Sequence, residues 1–139
     1  MLSGRKASDF MSTDLVLLAP HMDLNHAIGL LVEHDVSGGP VLDADGALVG
    51  ILTEKDCFRA VFRANYYREL IGPVGEHMSA PVEVIQADSD VLAVVELFHR
   101  SRYRRFPVVA NGRLVGLLSR RDVLRAVQTI HEAATQLGI

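Results

Sequence analysis

Cysteine is almost missing from this 139-residue sequence, in which Cys57 stands alone. A single thiol excludes an intrachain disulfide framework and any metal cluster built from several thiolates, and it fits a reducing compartment. Long apolar runs are missing too. None approaches the roughly eighteen residues that span a bilayer, and the opening MLSGRKASDF lacks the apolar stretch of a secretory signal. The expectation is a cytoplasmic protein that does not enter a membrane. Neither charge sign dominates: Lys and Arg number 14 against 17 for Asp and Glu, a formal net charge of -3. So slight an acidic balance gives no support for general binding of polyanions.

Motifs of chemistry are equally sparse. Neither GGPV nor GPVG continues into the Gly-Lys-Ser/Thr of a phosphate-cradling loop, and no serine sits in a nucleophile elbow. His21, His26 and His34 are spaced by five and eight residues, which matches neither HxxxH nor HExxH. The expectation is therefore no catalytic residue and no metal site. Zinc-finger spacing and a recognition helix are absent, and the tyrosines do not interleave with the arginines as a stacking platform. A nucleic-acid partner is not expected.

What the chain does have is 49% hydrophobic residues and an internal repeat. GALVGILTEKDCFRAV (46–61) matches GRLVGLLSRRDVLRAV (112–127) at nine of sixteen positions. Upstream the offset lengthens by one residue, and Met11-Ser12, Asp23 and Pro40-Val41 then match Met78-Ser79, Asp90 and Pro107-Val108. The length difference falls between DADG and ANG, as expected of turns. Two units follow, 8–68 and 75–139, joined by a linker at 69–74 that Gly72-Pro73 punctuates.

Each unit reads β-α-β-β-α. A short extended stretch, LVLL (15–18) or VEVI (82–85), precedes a helix capped by Asp23 or Asp90. Leu24, Ala27, Ile28 and Leu31 share one face of the first helix, and Val91, Val94, Val95 and Phe98 do so in the second. A hairpin follows in each unit, turning at Asp43–Gly46 or at Asn111-Gly112, a dipeptide in which both residues tolerate positive φ. Pro40 and Pro107 are expected to open their strands, where a missing donor matters least. The last helices begin near Asp56 and Asp122, with apolar stripes expected from Phe58, Val61 and Phe62 and from Leu124, Val127 and Ile130. Cys57 aligns with Val123, a buried position, although the first helical turn is also a place where a thiol pKa can fall.

The M-S pairs, the mid-repeat prolines with their hairpins, and the paired GILTEKD (50–56) and GLLSRRD (116–122) resemble the CBS domain family over nearly the whole chain. The resemblance implies an α+β fold of two CBS repeats packed as a pseudo-twofold module, with clefts between the repeats and assembly as a homodimer. It implies a regulatory role, sensing an adenine nucleotide or related adenosyl ligand: AMP, ADP, ATP or S-adenosylmethionine. No catalytic cofactor is implied. A separate regulated protein is, though no residue identifies it. The alternative is a dimerisation or docking module without nucleotide, its surface formed by helices 56–68 and 122–138.

In such modules the motif hydroxyl and carboxylate hold the ribose, which here are Ser119 with Asp122 and Thr53 with Asp56. A hydroxyl can donate or accept, and a carboxylate accepts from vicinal ribose hydroxyls. The same residues suit a helix cap that needs no ligand, and both readings stand. The resemblance places basic residues ahead of the central strand against phosphate. Arg104 and Arg105 occupy that place, and Arg121 adds a third guanidinium with planar paired donors. The first repeat has Ser37 and Gly38 there, leaving only Lys55 opposite Arg121. The resemblance places adenine along the opening strand, at Ala80, Val82 and Val84 for the second site and at Thr13, Leu15 and Leu17 for the first.

Overall fold

The computed structural model describes residues 4–67, 71–80 and 82–138. In chain order the elements are helix α1 (Leu24–Glu33), strands β1 (Gly38–Leu42) and β2 (Leu48–Thr53), helix α2 (Glu54–Tyr67), strand β3 (Ile85–Gln86), helix α3 (Val91–Arg100), strands β4 (Arg105–Ala110) and β5 (Arg113–Ser119), and helix α4 (Arg120–Gln136). Three-residue 3-10 turns at Ala7–Asp9 and Val74–Glu76 stand 67 residues apart, like the repeats.

Two compact units emerge, and they are not the two sequence repeats. One is Leu15–Val82. The other joins Met1–Asp14 to Glu83–Ile139. The opening stretch of each repeat thus packs with the body of the other. Ala7 is fully buried with Ile85, Val94, Phe98, Phe106, Val108, Leu118 and Val123. Its counterpart Val74 is fully buried with Leu18, Leu24, Leu31, Val41 and Leu52.

The Leu15–Val82 unit is built on the antiparallel β1–β2 hairpin. Leu18 bridges Val41 in parallel on one side, and Ser79 bridges Ile51 antiparallel on the other. The second unit repeats this plan. β3 pairs in parallel with β4, β4 pairs antiparallel with β5, and Ser12 bridges Leu117. Equivalent irregularities fall at Val41/Leu42 and Val108/Val109. The opening strand of each repeat is short: two residues in the second and a single bridge in the first.

Pro40 and Pro107 lie third in their strands, not first. The reason is in the pairing. Pro40 faces Ile51, whose amide and carbonyl both bond outward to Ser79 at 3.0 and 2.9 Å. Leu117, opposite Pro107, likewise exchanges both bonds with Ser12. Each proline therefore sits where the hairpin asks for no donor.

The helix caps follow the sequence. Asp23 accepts from the Asn25 amide and Asp90 from the Leu92 amide. Leu24, Ala27 and Leu31 are buried, as are Val91, Val94 and Phe98. Packing thus overrides the weak helix propensity of Val94-Val95. The Asn111-Gly112 turn has both residues at positive φ, 52° and 76°.

The last helices bury a face shifted from the expected one, although Ile130 is buried as expected. In α4 the buried residues are Val123, Ala126 and Ile130, while Leu124 is 69% exposed. In α2, Asp56 and Ala60 turn inward and Phe58, Val61 and Phe62 lie outside. In α4 the buried set is spaced i, i+3, i+7 and in α2 i, i+4, and in both it wins over the bulkier neighbouring stripe.

Candidate functional site

Both repeats turn from strand to helix through a reciprocal hydroxyl–carboxylate pair. At the second turn the Asp122 amide donates to Ser119 Oγ at 3.1 Å, and the Ser119 amide donates to Asp122 Oδ2 at 2.9 Å. This is a capping box, satisfying two donors that a helix start leaves open. At the first turn the Asp56 amide donates to Thr53 Oγ1 at 3.2 Å, and the Thr53 amide to Asp56 Oδ2 at 2.9 Å. The capping role is therefore present in both repeats.

The two acids differ in what remains of them. Asp56 is 2% exposed and takes further donors on both oxygens: Ser79 Oγ at 3.0 and 3.2 Å, and Arg59 Nη1 at 3.3 Å on Oδ1. Its carboxylate is saturated from within the unit. The Asp122 side chain is 19% exposed, and its Oδ1 meets Arg125 Nη1 at 3.5 Å, on an arginine itself 68% exposed. Oδ2 serves the cap, and among the described residues Oδ1 has only the Arg125 contact.

The basic residues gather at the same second turn. Arg105 is the cross-strand partner of Ser119. The Arg120 amide donates to the Arg104 carbonyl at 2.9 Å, and Arg120 Nη2 donates to the Ser101 carbonyl at 3.1 Å. Arg104 and Arg121 are exposed, and among the described residues no ion pair engages either. Arg102 lies over the Tyr103 ring at 5.7 Å, and Tyr103 packs edge-on against Phe106. The loop thus has an aromatic footing. At the first turn the matching cross-strand pair is Gly38 and Thr53, and the Glu54 amide donates to the Ser37 carbonyl at 3.0 Å. The backbone is the same and the guanidiniums are missing. Lys55 is exposed.

Ala80 and Val82 belong to the Leu15–Val82 unit, and Ser79, the residue ahead of Ala80, is bonded to the first turn at Ile51 and Asp56. The stretch that reaches the second turn is the other one, through the Ser12–Leu117 bridge to Thr13. Leu15 and Leu17 fall within the Leu15–Val82 unit. The sequence shows both M-S pairs without showing which turn each one meets.

The glycines of the paired motifs carry the missing signal. A Cβ on Gly116 would stand 2.6 Å from Met11 Sδ and 2.8 Å from the Ser12 carbonyl oxygen. A Cβ on Gly50 would overlap Met78 Sδ and stand 3.1 Å from the Ser79 carbonyl oxygen. Each M-S pair lies over the glycine of the opposite repeat, so a side chain at either glycine would force its neighbours to shift.

Burial pushes the Cys57 thiol up, and the neighbouring Asp56 and Glu54 carboxylates add to the effect. Together they outweigh the backbone hydrogen bond at Cys57, which acts to lower it. Among the described residues no group of three or more His, Cys, Asp or Glu could hold a metal ion, and no helix is long and apolar enough to cross a membrane.

The CBS domain model matches residues 7–63 and 74–129. An uncharacterised 17.7 kDa protein of Acidianus ambivalens is 28% identical over 127 residues, covering 91% of this chain and 75% of that protein. Inosine-5'-monophosphate dehydrogenase of Mycobacterium bovis is 33% identical over 127 residues, but the match spans only 22% of the enzyme's length. Among solved structures, CBSX2 of Arabidopsis thaliana in complex with AMP superposes with a TM-score of 0.82 at 30% identity, covering 92% of this chain and 99% of that one. With its two β-α-β-β-α repeats and both copies matched, the chain belongs to the CBS domain family as a tandem pair, a regulatory and non-catalytic kind of module.

Proposed function

We propose that this chain senses an adenine nucleotide, which it binds at the Ser119–Asp122 turn. One observation carries the reading: the Asp122 carboxylate is partly exposed, with only the exposed Arg125 on Oδ1, at a turn beside which Arg104, Arg105 and Arg121 stand. A vicinal diol donates to Asp122 Oδ1 while Oδ2 remains in the cap. The guanidiniums then meet phosphate beyond the sugar, in the paired geometry that suits its oxygens. The amides at the start of α4 favour the same negative charge. The backbone of Thr13, next to the Ser12–Leu117 bridge, offers hydrogen bonds to the base. CBSX2, a relative at 30% identity, is solved in complex with AMP, which supports a nucleotide of this class.

Regulation follows if the ligand binds two arrangements of the module unequally, because only differential affinity shifts an equilibrium. The test is calorimetric titration with AMP, ADP, ATP and S-adenosylmethionine. Binding that disappears in Asp122→Ala, with the fold retained, supports the reading. Absence of heat and of thermal stabilisation with every ligand overturns it.

A second reading concerns assembly as a homodimer in the cytoplasm. Helix α2 exposes Phe58 (73%), Phe62 (57%) and Tyr66 (70%), with Phe62 and Tyr66 stacked at 5.2 Å. Contiguous aromatic surface of this kind favours burial against a second copy. Sedimentation of Phe58→Glu tests it: a shift toward monomer supports the dimer, and an unchanged distribution counts against it.

A further inference from the structure

We infer that Ser79 occupies the first turn from within, its hydroxyl standing where a ligand hydroxyl would donate, so that Asp56 takes no ligand and each chain binds one nucleotide. The stoichiometric half of this statement rests on the reading of Asp122 given above; the structural half does not.

The two turns share one backbone arrangement and differ in what reaches the acid. Asp56 is buried and accepts from the Thr53 amide, from Ser79 Oγ through both oxygens, and from Arg59. A buried carboxylate needs such donors, because an unpaired charge is costly to desolvate. Once they are in place, a diol can enter only by displacing one. Ser79 is the donor with a fixed position. Its backbone exchanges hydrogen bonds with Ile51 at 2.9 and 3.0 Å, and Met78 packs over Gly50.

Ser12 is the matching residue of the other turn and makes the matching backbone bonds to Leu117 at 2.8 and 2.9 Å. Ser12 is exposed, and no hydrogen bond joins its hydroxyl to Asp122 among the described residues. The same motif residue therefore closes one acid and leaves the other open. The placement of basic residues agrees with this division, because Ser37 and Gly38 stand beside the closed turn where Arg104 and Arg105 stand beside the other.

The experiment has two parts. In the first, the unfolding equilibrium of the full chain is measured for Ser79→Ala, Asp56→Asn and the double variant. A coupling of fivefold or more in the unfolding constant is expected, and additive losses overturn the clasp whether or not any nucleotide binds. Should Asp56→Asn fail to fold, hydrogen exchange of the Ser79 and Ile51 amides is compared in Ser79→Ala and Ser79→Thr. Protection retained only with the hydroxyl supports the clasp, and equal protection in both variants overturns it.

In the second part, calorimetry with AMP counts sites. One site per chain, lost in Asp122→Ala and unaffected by Asp56→Asn (or by Ser79→Thr, if the asparagine variant does not fold), is the expected result. A wild-type site that survives Asp122→Ala overturns the closure of the first turn. No binding at all in the wild type overturns the nucleotide reading and the stoichiometry with it, leaving the clasp to be decided by the first part.

Discussion

Arg105 stands directly across the strand pair from Ser119. This one register contact joins the two halves of the candidate site, because it sets the arginine-rich loop beside the hydroxyl that opens α4. In the first repeat Gly38 takes the place of Arg105 opposite Thr53. The chemical difference between the repeats is thus written on a shared backbone.

Removing the guanidiniums should separate phosphate from nucleoside. Arg104→Ala is expected to weaken AMP about tenfold or more, on the scale of a charge-assisted hydrogen bond of about 1.5–3 kcal/mol, with adenosine affinity almost unchanged. Arg105→Ala should act in the same direction. Calorimetry with both ligands checks it, and equal losses for AMP and adenosine would displace the phosphate end.

The cap and the ligand share a residue but not an atom. Ser119→Ala should cost about 1 kcal/mol of stability, the usual loss of an N-cap hydroxyl. Asp122→Asn keeps an oxygen for the Ser119 amide and should lose less stability than Asp122→Ala while still binding AMP poorly. Chemical denaturation beside titration distinguishes the two effects.

Gly116→Ala should destabilise by about 1–3 kcal/mol through overpacking against the Met11 side chain. Shortening that side chain in Gly116→Ala/Met11→Ala should recover less than the whole loss, because the Ser12 carbonyl stands 2.8 Å from the added carbon. Thermal denaturation of the single and double variants is the measurement.

The Asp90 carboxyl is held below its ordinary value, first by the Gly4 amide at 3.0 Å and then by the Leu92 amide at 2.9 Å. A depressed carboxylate contributes above its unfolded value, and the contribution fades as pH falls through the folded value. Acidification should therefore loosen the Gly4 and Leu92 amides first. Hydrogen exchange at these two positions should show the change, and Asp90→Asn should remove its pH dependence.

Cys57 should react slowly. Its raised thiol pKa keeps the thiolate scarce at neutral pH, so alkylation of the folded chain should lag well behind that of the unfolded chain. The sign with pH is opposite to that of Asp90. Stability is fully present below the unfolded thiol value, about 8.5, and declines as pH rises through the folded one. Cys57→Ala should lack that alkaline decline in a denaturation series.

Much of the fold was legible because local signals were doubled. Asn111-Gly112 announces a hairpin through positive φ, and Asp23 and Asp90 announce helix starts through their side-chain oxygens. The outward turn of Phe58 and Leu124 was not legible, since two apolar stripes compete on one helix and only packing against the strand decides between them. The prolines misled for a related reason: their tolerance depends on where Ile51 and Leu117 send their hydrogen bonds.

Sequence alone determined that the chain is a duplication with a hydroxyl, an acid and a helix start in each copy, and that arginines stand just ahead of the central strand only in the second. Those are properties of residue identity and short spacing, which a linear pattern carries. Tertiary structure alone decided that each Met-Ser pair crosses to the other repeat's sheet and that Ser79 reaches Asp56 while Ser12 leaves Asp122 open. Such choices rest on contacts between segments far apart in the chain, where two nearly identical partners are available and only packing selects one.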